Sequence, residues 1–504
     1  MATKLIKLGG IRGGYSSDPF APPRLQTYQT AKDIDVFSQG GLLKPHIKLA
    51  NDAGTTTTNQ LANIIKIGTV YYAIGDDGTG KLRLFSTSAL GSSTTWTTEG
   101  TSTTASTAPG TSGVNFLEAF DGAAYFWDAS GVLSQYIKAT DAYTQSWATS
   151  LGGRGPLMNH PGLKKLIIAA ANKVYTYQSG AAPSAAALTL DGDYTINSLA
   201  PMGAFVLVGA EHSNGTSKIF VWDGSATTVD DMLDIQDVNL KAIRNVNGEI
   251  IAFVANQIGS RAVALRIYRW VNKAKQVIEI PIQATVDLDE SPFLLDAAVD
   301  VIRGAAYFAL RGKQAGSIGI DNLVYAYKDG VVTQARLNSV PTVADIAYLA
   351  VRAIDGDLVV IYRNDAATVW KMDHAQANAT TGQLSANGTI ETNWIRLNPF
   401  GKGRVVKMYI PHKPLAAGVG FTVKVKHLGA YPHGTSVPAA DSYTTVGSQT
   451  TDNATYTILA NEAQVFKICD YVSLQFLWDT VSGISAAEIG YPNIILEVEE
   501  ISTF

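Results

Sequence analysis

The chain has 504 residues, 46% of them apolar, enough to bury a large core, which excludes disorder for most of its length. Lys and Arg total 39 against 43 Asp and Glu, a net charge of −4, so no basic surplus draws it to nucleic acid or anionic lipid. A single cysteine, Cys469, excludes an internal disulfide framework and a cysteine-built metal cluster.

Charged residues are only 16% of the chain, below the roughly 25% usual for globular domains. The opening residues lack the apolar stretch of a signal peptide, and no run approaches the ~18–20 apolar residues of a membrane span, so we expect folding in a cytosol without membrane anchoring.

Residues 1–48 read as an irregular Gly/Pro-rich arm. Gly9-Gly10 and Gly13-Gly14 bracket Ile11-Arg12, and Pro19, Pro22 and Pro23 follow. A short apolar strand is expected at 46–49. Such an arm has little to bury by itself and should lie across another surface; alternatively, 42–49 adds the outer strand of the last repeat described next.

From 49 to 389 the pattern is β throughout, and a repeat is present. Seven apolar first strands occur at 69–75, 123–129, 165–171, 204–210, 249–255, 305–311 and 358–364. Their centres are roughly 40 to 56 residues apart, close to the length of a four-stranded propeller blade. Seven second strands follow at 82–86, 135–138, 174–177, 219–222, 267–270, 324–327 and 369–372, several ending in Gly or Asn turns. The expected fold is all-β: a seven-bladed β-propeller, with six to eight blades compatible with the spacing, then a β-sandwich of jelly-roll or immunoglobulin-like type over 390–504. In that last region strands are expected at 405–411, 421–427, 455–459, 465–468, 472–477 and 494–498, and 429–449 reads as a long exposed loop.

The second strands carry regularly placed aromatics: Phe85, Tyr136, Tyr175, Phe220, Tyr268, Tyr325 and Trp370. In a propeller such residues fill the wedge between adjacent sheets. Trp127-Asp128 and Trp222-Asp223 pair a ring with a carboxylate and are the candidates for glycan contact. His412, His427 and His433 fall near one another in the C-terminal region, yet no carboxylate or Cys completes a zinc set, and ordinary strand-end histidines explain them. Asp287, Asp289 and Glu290 form the best calcium-loop candidate among several acidic turns that read as solvated. No phosphate loop, nucleophile elbow or sialidase-type Asp box stands in the chain, so we assign no catalytic, cofactor or metal residue.

Two stretches carry a family resemblance. Asp33-Ile-Asp35-Val-Phe-Ser-Gln-Gly40-Gly41-Leu-Leu-Lys44-Pro45, after a Gly-rich arm, resembles the start of bacteriophage tail proteins. Glu391-Thr392-Asn393-Trp394-Ile395-Arg396-Leu397 resembles the opening of the β-sandwich that follows the propeller in such proteins. The class is similar to the nozzle or tail-tube-extension proteins of short-tailed phages. It implies a structural virion protein assembled in the host cytoplasm. Its partners would be copies of itself in a ring, other tail or adaptor proteins, and passing genomic DNA held without specific binding. The alternatives are a carbohydrate-binding propeller for host attachment and a propeller glycoside hydrolase, which needs two carboxylates flanking a pocket.

Overall fold

The computed structural model describes the chain except residues 1–2, 9–13, 16–19, 21–26, 33, 38–41, 46–48, 52–59, 77–81, 92–94, 100–113, 129, 150, 236–238, 259–260, 272–273, 281–285, 288–293, 310–311, 315–322, 338–344, 365–368, 376–387, 430–441, 451, 462–464, 481–485 and 502–504. The described residues are all-β apart from short 3-10 turns, and no helix among them is long and apolar enough to cross a membrane. The chain divides into two compact units: Ala50–Asn322 with Asn338–Ala375, and Met1–Leu49 with Leu323–Leu337 and Gln376–Phe504.

The larger unit is a succession of antiparallel sheets, each an up-and-down run of neighbouring strands. Sheet 1 holds Gln60–Ile67, Val70–Asp76, Leu82–Thr87 and Thr97–Glu99. Sheet 2 holds Leu117–Phe120, Ala123–Trp127, Leu133–Ile137 and Ala142–Ala148. Sheet 3 holds Leu157–His160, Lys165–Ala170, Lys173–Tyr177 and Leu188–Thr189. Sheet 4 holds Tyr194–Met202, Phe205–His212, Ser217–Trp222 and Asp231–Ile235. Sheet 5 holds Leu240–Val246, Glu249–Ile258, Arg261–Val271 and Ala274–Ile280. Val299–Ile302 and Ala305–Ala309 form the next pair. Asp345–Ile354, Asp357–Asn364 and Val369–Ala375 are the central strands of the last sheet, edged beyond Val369–Ala375 by Leu49–Asn51 and beyond Asp345–Ile354 by Gly312–Gln314 and then Val286–Asp287. The strand that closes this sheet therefore comes from the start of the chain, a few residues beyond the 42–49 stretch named for that role.

Turn chemistry sets the hairpins. The runs read as first strands from the sequence are second in the folded sheets: one more strand precedes each, as Leu117–Phe120 precedes Ala123–Trp127. Asp121-Gly122, Asn247-Gly248, Arg303-Gly304 and Asp355-Gly356 each join such a preceding strand, the first of its sheet, to the second with both residues at positive φ. That is the two-residue turn whose twist matches the strands it joins. The apolar runs are continuous rather than alternating because each sheet is buried on both faces. In sheet 3, Leu166, Ile168 and Ala170 join a cluster with sheets 1 and 2, while Ile167 and Ala169 join one with sheet 4. In sheet 4, Val206 and Val208 face sheet 3, and Leu207 and Ile219 share a cluster with sheet 5. The first strands touch in order, from Gln60–Ile67 through Leu117–Phe120, Leu157–His160, Tyr194–Met202, Leu240–Val246 and Val299–Ile302 to Asp345–Ile354, which touches Gln60–Ile67 again. This closed cycle of first strands, with sheets stacked face to face around it, is propeller architecture.

In the smaller unit one sheet runs Thr3–Lys7, Ile495–Ile501, Lys402–Pro411, Tyr456–Ala460. A second runs Gly14–Tyr15, Thr27–Lys32, Gly388–Thr392, Tyr471–Thr480, Gly420–Leu428, Thr444–Thr450. One core joins them: Met408, Ile410, Leu496 and Val498 from the first sheet lie with Tyr28, Ile390, Val423, Leu474, Phe476 and Trp478 from the second. The described parts of the 1–48 segment are thus strands of this unit. Thr3–Lys7 pairs with Ile495–Ile501, Thr27–Lys32 with Gly388–Thr392, and Leu42–Pro45 with Ile489–Gly490. The last segment of the smaller unit is Gln376–Phe504.

Two local expectations are corrected here. Thr444–Thr450, all but its last residue in the stretch read as a loop, is an edge strand paired with Gly420–Leu428. Residues 465–468, read as a strand, lie outside any strand, and Asn461 clamps the segment by accepting from Phe466 N (2.9 Å) and donating to its carbonyl (3.0 Å).

Candidate functional site

The chemistry of the larger unit gathers along its cycle of first strands. Each of these strands is apolar but for a few polar side chains, and four carry a register shift that re-aims them: between Leu61 and Asn63, Ile196 and Ser198, Leu240 and Ala242, and Tyr348 and Ala350. A β-bulge bends its strand and turns a side chain out of the alternation.

Asp296, 2% exposed, is the hub. Arg244 Nη1 donates to its Oδ1 at 2.7 Å, Ser198 Oγ donates to the same oxygen, and Asn115 N donates to Oδ2 at 3.2 Å. Arg244 also donates from Nε to Val299 O at 3.0 Å, and Ser198 Oγ accepts from Ile243 N at 2.9 Å. A second centre lies around Asn115. Its Oδ1 accepts from Asn63 Nδ2 and from Arg352 Nη1, both at 3.0 Å, and its Nδ2 donates to Leu157 O at 3.0 Å and Glu118 Oε2 at 3.1 Å. Arg352 Nη2 reaches Glu118 Oε2 at 3.4 Å. Burial pushes the Glu118 carboxyl above the usual carboxylate range against the pull of Arg352. Burial likewise lowers the Lys241 ammonium, on a neighbouring bulge.

Every junction in the cycle is tied by a polar group. Asn63–Asn115 joins sheets 1 and 2, Asn115–Leu157 joins 2 and 3, and His160 Nε2 with Phe205 O at 2.8 Å joins 3 and 4. Ser198–Ile243 joins 4 and 5, Arg244–Val299 joins 5 to the next pair, and Asp300 Oδ2 accepts from Ala353 N at 2.7 Å. Lys66 meets Asp355 where the last sheet returns to the first. Asp296 and Glu118 are each held by a guanidinium, an arrangement that fixes the strands that carry them. Sequence reading missed this network. Its signal is a polar residue set among apolar ones in the first strand of a sheet: Asn63 in QLANIIKI, Ser198 in YTINSLAPM, Arg244 in LKAIRNV, Arg352 in DIAYLAVRAI.

Of the seven aromatics named from the sequence, four lie in clusters shared by neighbouring sheets and Trp370 packs against one of these. Tyr136 stands 5.6 Å from Tyr72 across sheets 1 and 2, with Tyr175 in the same cluster and Trp370 packed against it. Phe220 lies in the cluster of sheets 3 and 4, Tyr268 in that of sheets 4 and 5, and Phe85 is buried. Tyr325, on a hairpin of the smaller unit, is half-buried.

The glycan candidates are corrected. Trp127 and Trp222 are both 0% exposed, so neither presents a ring face to a sugar. Trp222 Nε1 donates to Ala226 O at 2.6 Å, and Asp223 accepts from Ser225 N and Ala226 N, both at 2.8 Å, which builds the turn after the strand. Asp128 is buried and accepts from Val132 N at 2.8 Å in the turn between the second and third strands of sheet 2. Trp222→Ala is therefore expected to lower stability by about 3–5 kcal/mol. A denaturation midpoint equal to that of the parent chain would contradict this.

His412 uses both ring nitrogens, with Lys413 O and Thr457 Oγ1 each at 2.8 Å, and His427 Nε2 accepts from Lys467 N at 3.2 Å. His433, Asp289 and Glu290 lie outside the described residues. Among the described residues no group of three His, Cys, Asp or Glu is placed to hold a metal ion.

No family model matches the chain, and no curated protein matches it. Among solved structures it is similar to the N-terminal domain of Nup159, at 10% identity and a TM-score of 0.41 over 69% of this chain and 97% of that one. It is similar to the WD40 β-propeller domain of Doa1 at 11% identity and 0.41 over 66% and 98%. The computationally designed Ika8 protein gives 10% identity and 0.39 over 68% and 96%.

Proposed function

We propose that the chain is a structural virion protein of a bacteriophage tail, a subunit of a symmetric homo-oligomeric ring of the nozzle or tail-tube-extension kind, and that it turns over no substrate. Its larger unit is read as a seven-bladed propeller, one blade for each first strand in the cycle, and its smaller unit as a β-sandwich around a single core.

One observation carries the reading. The two stretches that resemble tail proteins lie more than 300 residues apart in the chain, yet both belong to the smaller unit. Thr27–Lys32, just before the first stretch, pairs with Gly388–Thr392, which opens the second: Tyr28 faces Thr392 and Lys32 faces Thr389. The first stretch itself folds back, Ile34–Asp35 on Leu42–Pro45. The resemblance therefore follows a spatial unit rather than two scattered words. The net charge of −4 suits a wall past which DNA slides, because each phosphate contact would add affinity and retard it. Its partners are copies of itself and the neighbouring tail or adaptor proteins, and its place is the virion, after assembly in the host cytoplasm.

The test is peptide mass spectrometry of gradient-purified particles from cells carrying this gene and its neighbours. The expected result is recovery of the chain in fixed proportion to the other tail proteins. Infectious, DNA-filled particles without it would overturn the reading.

A further inference from the structure

The first sheet of the smaller unit ends, among the described residues, on Thr3–Lys7 at one side and Tyr456–Ala460 at the other, with no strand beyond either. Both ends bear exposed apolar side chains: Leu5 is 67% exposed, Tyr456 56% and Ile458 47%. An uncapped edge with outward apolar residues is a template for strand addition. Tyr456–Ala460 (YTILA) has no charged residue to deter it.

We propose that these two edges are the halves of one joint between copies of this chain. The Tyr456–Ala460 edge of one copy receives Thr3–Lys7 of the next, and the sheet runs on from subunit to subunit. This rests on the ring reading above and supplies its contact.

Direction, length, pattern and charge all favour this pairing. Each neighbouring pair in the sheet is antiparallel, so the first and last of its four strands run in opposite directions. A second copy placed head to tail thus meets the edge antiparallel, and the alternation continues unbroken. Both edge strands have five residues. On both, the outward residues alternate in the same phase: Thr3, Leu5 and Lys7 on one, Tyr456, Ile458 and Ala460 on the other. With Leu5 opposite Ile458, Lys7 falls opposite Tyr456, and its ammonium meets the negative face of a ring. Two Thr3–Lys7 edges would instead bring four lysines together. Such a head-to-tail joint is heterologous, and it makes a closed ring when the rotation per subunit divides the circle. The twist between adjacent strands supplies a rotation.

The experiment uses the full chain carrying Leu5→Cys and Ile458→Cys together, each substitution alone, and the parent. The native Cys469 is buried and stays out of reach. Directly opposite strand residues fall within disulfide range. After oxidation the double variant is expected to give a ladder of covalent oligomers on a non-reducing gel, with each single variant uncrosslinked and melting temperatures near the parent's. A parent that assembles while the double variant gives no ladder overturns the joint and leaves the ring reading standing. Covalent dimers from Ile458→Cys alone overturn it in favour of like edges meeting. A parent that stays monomeric at every concentration in sedimentation also overturns the joint, and the particle composition then decides the virion reading separately.

Discussion

Asp296→Ala is expected to destabilise the larger unit by about 3–5 kcal/mol, the cost of leaving a buried charge without its partner. The carboxylate is 2% exposed and the Arg244 side chain 13%, so solvent cannot take over the guanidinium. The same change removes the acceptor for Ser198 Oγ, on Tyr194–Met202, and for Asn115 N, just before Leu117–Phe120. Three junctions of the cycle loosen together, and the transition should broaden as well as shift. Asp296→Asn keeps the acceptor oxygen and should cost less. Asp355→Ala is the control: its side chain is 55% exposed against Lys66, and exposed pairs are worth about 1 kcal/mol or less. Urea unfolding measures all three. Equal midpoints for Asp296→Ala and Asp355→Ala would show that the buried hub holds nothing together.

Tyr28→Ala should cost the smaller unit about 3–5 kcal/mol, as expected for a buried aromatic that leaves a cavity. Tyr28 is 0% exposed and shares the core with Ile390, Phe476 and Trp478, all from the far end of the chain. A loosely attached arm would tolerate the change within about 0.5 kcal/mol, as surface positions do. Calorimetry separates the two outcomes. A melting temperature unchanged by Tyr28→Ala would contradict the placement of the N-terminal strands within this fold.

The repeat was legible because it is written locally. An apolar run such as 204–210, a turn with Gly215 at positive φ and a second run with an aromatic, 219–222, lie within about 20 residues, the scale on which hairpin signals act. The pairing of Thr3 with Glu499 and of Tyr28 with Thr392 was not legible, because nothing local to 3–7 or 27–32 names a partner so distant in the chain. Thr444–Thr450 looked like a loop because its Ser, Thr and Gly content is that of a solvated turn. It is an exposed edge strand, with little apolar surface to announce it. Trp127 and Trp222 illustrate the opposite failure. Ring next to carboxylate is a sugar-site signature only when the ring is exposed, and exposure is not written in a dipeptide. The polar hub was concealed by the same logic: Ser198, Asp296 and Arg352 each look like a lone interruption, and only ring closure brings them together.

The most direct test of the central claim is a cryo-EM reconstruction of particles assembled in cells that express this chain with its genomic neighbours. The expected map shows copies arranged symmetrically around the tail axis, each with a disc of radially stacked four-stranded sheets. Complete tails in which no such density appears, with the chain left free in the lysate, would contradict it.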